Sequence, residues 1–360
     1  MSKIAALLAA AILFIPLMAL AAEEGAKPAA PPITETHALW LGPVKLGVLP
    51  PPPIPPDNPQ TTRKILLGKQ LYFDTRLSQD NTISCATCHS PTMGWSDEGP
   101  TSKGIGNQMG GRRSPPASNS AYNPLQFWDG RSPSLEDQAK GPIQNPIEMG
   151  NTHQVMIRTV NDIPGYVEEF KEVFGTTPIT VDQVAQAIAA FERTIVTTDS
   201  PFDRFVKGDE TALTSLEKKG LEIFNGKGRC SCCHWGPNFS DGRFHNLGVP
   251  HTGMDKPDNG RYDITKDPKD MRAFKTPTMR DVGLRPPYLH MGNEKTIEDV
   301  IVFYNKGGGF KDPNMDPMMI PLGLSKGEIA ALVAFLEHGL TSLNPEVAGV
   351  KPIPASELPQ

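Results

Sequence analysis

Five cysteines carry the first recognisable chemistry in this chain. All five fall in two short clusters, Cys85-Ala86-Thr87-Cys88-His89 and Cys230-Ser231-Cys232-Cys233-His234. Thiols and imidazoles this close can hold zinc, cycle as a redox dithiol, close a disulfide or carry a covalently attached haem. A zinc site would need thiolates converging from positions 85 and 230, and would leave both adjacent histidines without a role. An odd number of cysteines in tight clusters is also a poor disulfide framework. The spacing C-x-x-C-H explains both clusters, the second only when read as Cys230, Cys233 and His234. Two thiols one helical turn apart form thioethers to two vinyl groups, and the next histidine meets the iron. Two copies therefore point to two covalently bound haem c groups, held by Cys85, Cys88, Cys230 and Cys233, with His89 and His234 as iron ligands. Cys232 is left over, and reads as a small buried apolar side chain.

The elements that must position these groups begin after a long preamble. Residues 1–21 read as a signal peptide, with Lys3 as its charged start, an apolar run from Ile4 to Leu20 and an Ala19-Leu20-Ala21 cleavage pattern. Pro16 interrupts that run, which argues against a permanent anchor, and no later segment approaches the ~20 apolar residues of a membrane span. The mature protein is thus expected to be exported, soluble and periplasmic, with no membrane contact after signal removal. The formal charge of -5, made more negative by loss of Lys3, argues against a nucleic-acid partner.

Residues 22–60 form a proline-rich arm, in which "LPPPPIPPDNP" favours extended polyproline backbone. From Thr61 the pattern turns helical. Capping boxes, Thr180 with Gln183, Thr214 with Glu217, Thr296 with Asp299 and Ser325 with Glu328, each open a helix. Val184, Ile188, Phe191 and Ile195 share one face of the first; Ile329, Leu332, Val333 and Leu336 form the stripe of the last. Strands are scarce, and the loops are too long for a core made of side chains alone. The expected fold is mainly α, with two cytochrome c-like domains, residues 61–205 and 206–342, each built around one haem with long irregular loops, followed by a tail over 343–360.

Further motifs carry a resemblance. The stretch Phe127-Trp128-Asp129-Gly130-Arg131, then Gln138, Lys140-Gly141-Pro142 and Glu148-Met149, together with "FHNLGV", "KTPTMRDVGLRPPYLHMG" and "TIEDVIVFYNKGG", resembles the bacterial di-haem cytochrome c peroxidase and MauG family from about Thr61 to Leu340. The resemblance implies that the N-terminal haem reacts with hydrogen peroxide. It implies Glu148 as the distal acid/base, Gln138 as its hydrogen-bonding companion, Pro142 as a residue shaping the pocket and Trp128 as the relay between the haems. The chemistry is coherent, since a carboxylate beside an open iron can carry a proton from one peroxide oxygen to the other.

Several departures sharpen the reading. Where the peroxidases that require reductive activation place a distal histidine, sixteen residues after His89, this chain has Ile105, which cannot ligate iron; His153 is the other histidine nearby in sequence. Fourteen residues after His290, where those enzymes have a methionine ligand, stands Tyr304, as in MauG-like enzymes, with Met315, Met318 and Met319 as thioether alternatives. A phenolate favours ferric and high-valent iron where a thioether favours ferrous. The family's calcium uses an asparagine at the position of Arg113, with backbone carbonyls at Arg285 and Pro287; a guanidinium cannot ligate calcium, so the ion stays open. The surface tryptophan that MauG has before its second haem motif is Gly228 here, which leaves Trp235, Trp95 or a tyrosine as exits.

The leading expectation is a MauG-like di-haem enzyme that uses hydrogen peroxide to form high-valent iron and oxidise a periplasmic protein substrate. The alternatives are a cytochrome c peroxidase drawing electrons from a small cytochrome c or cupredoxin, and a di-haem electron-transfer cytochrome without catalysis.

Overall fold

The computed structural model describes residues 45–250, 257–343 and 350–360. The expected signal peptide, most of the arm and part of the tail lie outside the described residues.

Two helix pairs frame the molecule, and each is built in the same way. Helix α1 (Thr62–Phe73) starts at Thr61, whose hydroxyl accepts the Lys64 backbone N–H at 3.2 Å. Shorter helices α2 (Leu135–Gln144), α3 (His153–Asn161) and α4 (Pro164–Phe174) follow, and then α5 (Val181–Glu192), opened by the Thr180–Gln183 capping box. Helix α1 lies so close on α5 that a Cβ at Gly68 would stand 1.8 Å from the Ala187 carbonyl oxygen. After α6 (Pro201–Val206), the second pair is α7 (Ser215–Asn225) and α9 (Lys326–Ala334), with α8 (Ile297–Asn305) between them in sequence. There Gly220 plays the part of Gly68, its missing Cβ falling 2.1 Å from the Ala331 carbonyl oxygen.

Each pair gathers its own apolar core. Leu67, Leu71, Tyr72, Ile188 and Phe191 belong to the first; Ile223, Phe224, Leu332, Phe335 and Leu336 belong to the second. Val184, Ile188 and Phe191 of the expected stripe are buried on α5, whereas Ile195, also buried, lies beyond the helix, which ends at Glu192. On α9, Leu332 and Leu336 are buried, whereas Ile329 and Val333 pack on the core from its margin. Strands are limited, among the described residues, to the antiparallel pair β1 (Phe244–His245) and β2 (Phe274–Lys275), with Phe244 opposite Lys275.

The loops between the helix pairs contain two matching turns. Gln126 bridges Ser132 in one and Tyr288 bridges Glu294 in the other. Phe127 and Leu289 both adopt positive φ, 66° and 68°, a conformation that bulky side chains rarely accept. Trp128 and His290 are the residues that follow, so the two turns present them at corresponding positions.

The described part of the arm, residues 45–60, is an extended strap. The Gly47 carbonyl accepts from Arg280, the Pro50 carbonyl accepts from the Tyr122 hydroxyl, and the Asn58 amide donates to Glu136 and to the Gln186 carbonyl.

Candidate functional site

Cys85 and Cys88 open and close a single helical turn, and His89 caps it with its N–H on the Cys85 carbonyl at 3.0 Å. All three border one cavity, together with Gln138, Pro142 and Glu148 from the far wall. Burial pushes the Cys88 thiol up to about 12 and raises Cys85 as well. A buried thiol of raised pKa is a poor redox dithiol, and among the described residues no metal-binding group of three ligand atoms forms at Cys85, Cys88 and His89. Burial also holds the His89 imidazole below its usual pKa, favouring the neutral form that ligates metal, and its Nδ1 lacks a hydrogen-bond partner. The residues present therefore fit a covalently held haem better than any of the other three uses.

Glu148 closes this cavity from the turn after α2. The Asn145 side chain folds back to donate to Glu148 Oε1 at 2.8 Å, and the Glu148 N–H donates to the Asn145 carbonyl at 3.0 Å. Burial raises the Glu148 pKa, while the Arg131 charge and the Asn145 amide pull it back. Gly104 lets the neighbouring loop lie on this turn, because a Cβ there would strike the Ile147 carbonyl oxygen at 1.9 Å. Ile105, next in line, donates its N–H to the Glu148 carbonyl at 2.9 Å and sends its side chain onto Gly150 and the first core, not into the cavity wall. His153 is also outside that wall, with Nε2 2.9 Å from the Lys140 carbonyl oxygen.

The second motif repeats the arrangement. Cys230, Cys233 and His234 border a second cavity. His234 Nδ1 lies 2.9 Å from the Phe239 carbonyl oxygen, so that the N–H points to backbone and Nε2 is the nitrogen left for iron. Tyr304, on α8, lines the same cavity, as do Met318 and Met319; Met315 belongs to the adjoining apolar cluster instead. Burial lifts the Tyr304 pKa, helped by Cys233, Cys230 and Asp316, so its phenol ionises only beside a cation such as ferric iron. Cys232 is buried.

Trp128 is the residue that the two cavities share among the described residues. Its indole N–H donates to the Arg113 carbonyl at 2.8 Å, and its own carbonyl accepts the Lys275 N–H at 2.8 Å.

Sequence reasoning missed three groups beside these cavities. His245 sits between Asp241 and Asp316, at 2.9 and 2.5 Å. Burial opposes its charge, yet the two carboxylates hold its pKa up to about 12. With Cys233 given to a thioether, the cluster of Cys233, Asp241 and His245 is no separate metal site. Glu192 borders the first cavity with Oε2 unpaired, and burial raises it to about 8; its place four residues after Ile188, on the buried face of α5, was the available signal. Lys275 borders the second cavity, where burial alone lowers it to about 8.

A family profile described as di-haem cytochrome c peroxidase matches residues 62–211. Cytochrome-c peroxidase IdrP1 of Denitromonas iodatirespirans is 39% identical over 324 residues, which cover 81% of this chain and 85% of that protein. The methylamine utilization protein MauG of Methylorubrum extorquens is 41% identical over 286 residues, 79% of this chain and 80% of that one. A crystal structure of a MauG-like protein associated with microbial copper homeostasis matches with a TM-score of 0.76 at 30% identity, over 82% of this chain and 94% of that one. The chain belongs to the di-haem cytochrome c peroxidase/MauG family. It is a haem oxidoreductase acting on peroxide, and its cofactors are two covalently bound haem c groups. No helix among the described residues is long and apolar enough to cross a membrane.

Proposed function

We propose that this chain is a MauG-like peroxidase of the periplasm, which uses hydrogen peroxide at its N-terminal haem to oxidise a residue of a protein substrate. The observation that carries the reading is Tyr304 bordering the second cavity beside His234. A phenolate partner disfavours the ferrous state that ordinary cytochrome donors need to reach, and so favours storage of an oxidising equivalent over electron uptake.

The haems, when bound, supply the iron at which peroxide is reduced and oxidising equivalents are held. Cys85, Cys88 and His89 would hold the first, and Cys230, Cys233, His234 and Tyr304 the second. Glu148 moves the proton: its carboxylate accepts one from peroxide and returns it to the departing oxygen, a role worth about 10²–10⁴ in rate. Asn145 fixes the carboxyl rotamer through Oε1, and Arg131 offsets part of the charge penalty of burial. Gln138 and Pro142 complete the wall that orients peroxide and limits water. Ile105 and His153 both lie outside that wall, so neither would supply a second ligand to a haem held by His89. Trp128 relays charge between the sites. Of the tryptophans weighed as exits, Trp95 is 1% exposed and Trp235, beside His234, is partly exposed, which favours Trp235.

A cytochrome c peroxidase is the second reading, favoured by Met318 and Met319 on the wall of the second cavity. EPR of the resting ferric holoprotein separates the cases. One high-spin and one low-spin haem is expected, whereas two low-spin haems would mean an electron carrier. Rapid oxidation of reduced cytochrome c after stoichiometric peroxide would replace the protein-oxidase reading with the peroxidase one.

A further inference from the structure

The calcium implied by the family resemblance does not fit this chain, because Arg113 occupies the place where oxygen donors converge. The side chain is buried, with the residue 4% exposed. Nη1 donates to the Gly99 carbonyl, and Nη2 donates to the Asp97 carbonyl, to Pro286 O at 3.1 Å and more distantly to Arg285 O at 3.4 Å. No carboxylate among the described residues forms an ion pair with it. Four backbone carbonyls from two remote segments thus surround one cation that cannot lose its proton.

A second guanidinium adds to the case. Arg285 is buried and donates from Nη2 to the Thr278 carbonyl at 2.9 Å, and the charges of Arg285 and Arg113 act on each other. A divalent ion entering here would meet two guanidinium charges already fixed among the carbonyls, with the Asp97 and Asp281 carboxylates acting on those guanidiniums from nearby.

The backbone of Arg113 makes the position more than a filler. Its N–H donates to the His290 carbonyl and its carbonyl accepts the Trp128 indole N–H, each at 2.8 Å. One residue therefore joins the 97–99 loop, the 285–286 segment and both matching turns.

We infer that Arg113 is a built-in cation that takes the role of a structural calcium at the junction of the two halves, and that it positions Trp128 between the haems. The claim is independent of whether the oxidised substrate is a protein or a cytochrome. It predicts that dialysed wild-type holoprotein contains no stoichiometric calcium. Neither EGTA nor added calcium should move its Tm or the EPR of either haem. Arg113→Asn opens a hole lined by backbone carbonyls and one amide oxygen, ligands that suit Ca²⁺. Without calcium that variant should lose about 5 °C or more in Tm and exchange electrons between its haems more slowly. Calcium should restore both saturably, and magnesium should not. Arg113→Lys, which keeps the charge but not the planar fork, should fall between and remain indifferent to calcium. Stoichiometric calcium in the wild type, removable by EGTA with a change in Tm or EPR, would overturn the inference. So would an Arg113→Asn protein with unchanged Tm and no calcium response. If that variant fails to fold, the wild-type chelation result and Arg113→Lys decide the matter.

Discussion

Trp128 and His290 stand at corresponding positions of two matching turns, with their rings 6.3 Å apart at 65°. Each turn is pinched by an isolated bridge and carries a bulky residue at positive φ just before the ring. The two halves therefore meet through equivalent positions, one filled by an indole and the other by an imidazole, with the indole exposed to both cavities.

Replacing Trp128 by Phe should separate the two haems functionally. Peroxide should still react at the first site, while electron exchange between the haems slows by at least about tenfold, the effect of ~1.4 kcal/mol in a barrier. Rapid-mixing spectroscopy with one reducing equivalent measures this. Unchanged exchange would remove Trp128 from the relay.

The acid/base role assigned to Glu148 makes a pH prediction. Burial raises its pKa, so it stays protonated to a higher pH than a free glutamate, and the rate of peroxide reaction should fall on the acid side above the usual glutamate range. Asn145→Leu deletes a bond that favours the carboxylate, so the acid limb should move to still higher pH. Glu148→Gln should lose about 10²–10⁴ in rate with both haems attached. A profile that ignores Asn145 would count against the pairing.

Tyr304→Met exchanges a hard anionic donor for a thioether, so the potential of the second haem should rise and turnover with reduced cytochrome c should increase. Met318→Leu and Met319→Leu should leave that potential in place. Spectroelectrochemical titration tests all three, and a potential set by a methionine would relocate the ligand.

Gly68→Ala and Gly220→Ala invert an ordinary expectation. Alanine usually stabilises a helix interior by about 0.5–1 kcal/mol over glycine. Here each new Cβ would meet a carbonyl oxygen of the facing helix at 1.8 or 2.1 Å, so overpacking of about 1–3 kcal/mol should dominate. Both substitutions should destabilise in denaturant titrations; a gain in stability from either would show that the helices can part cheaply.

Local signals explain what was legible. All four capping boxes open helices at the residues expected, because the Thr or Ser, and the acid or amide three positions on, settle their hydrogen bonds within one turn. The stripe on α5 was readable for the same reason: helical period alone aligns Val184, Ile188 and Phe191. Contacts between distant segments were not readable. His245 meets Asp316 across 71 positions, and Arg113 meets carbonyls supplied by backbone, which leaves no trace in residue type. Tyr304 could be reached by its count from His290, yet the nearness of Met318 and Met319 depends on how the loop after α8 returns, and loop paths have no period.

The first and the last described segments are laced across the molecule. Leu46 and Gly47 hold to the second core and to Arg280, while Val350 and Ile353 pack on the first, and the Gly165 N–H and the Arg76 guanidinium grip the carbonyls of Gln360 and Pro359. Anyone dividing the gene near residue 205 would produce fragments that each carry off the other's fastening. Reassembly from two polypeptides would have to thread both ties at once, so a tandem pair of small cytochromes is a poor guide to how this enzyme comes apart.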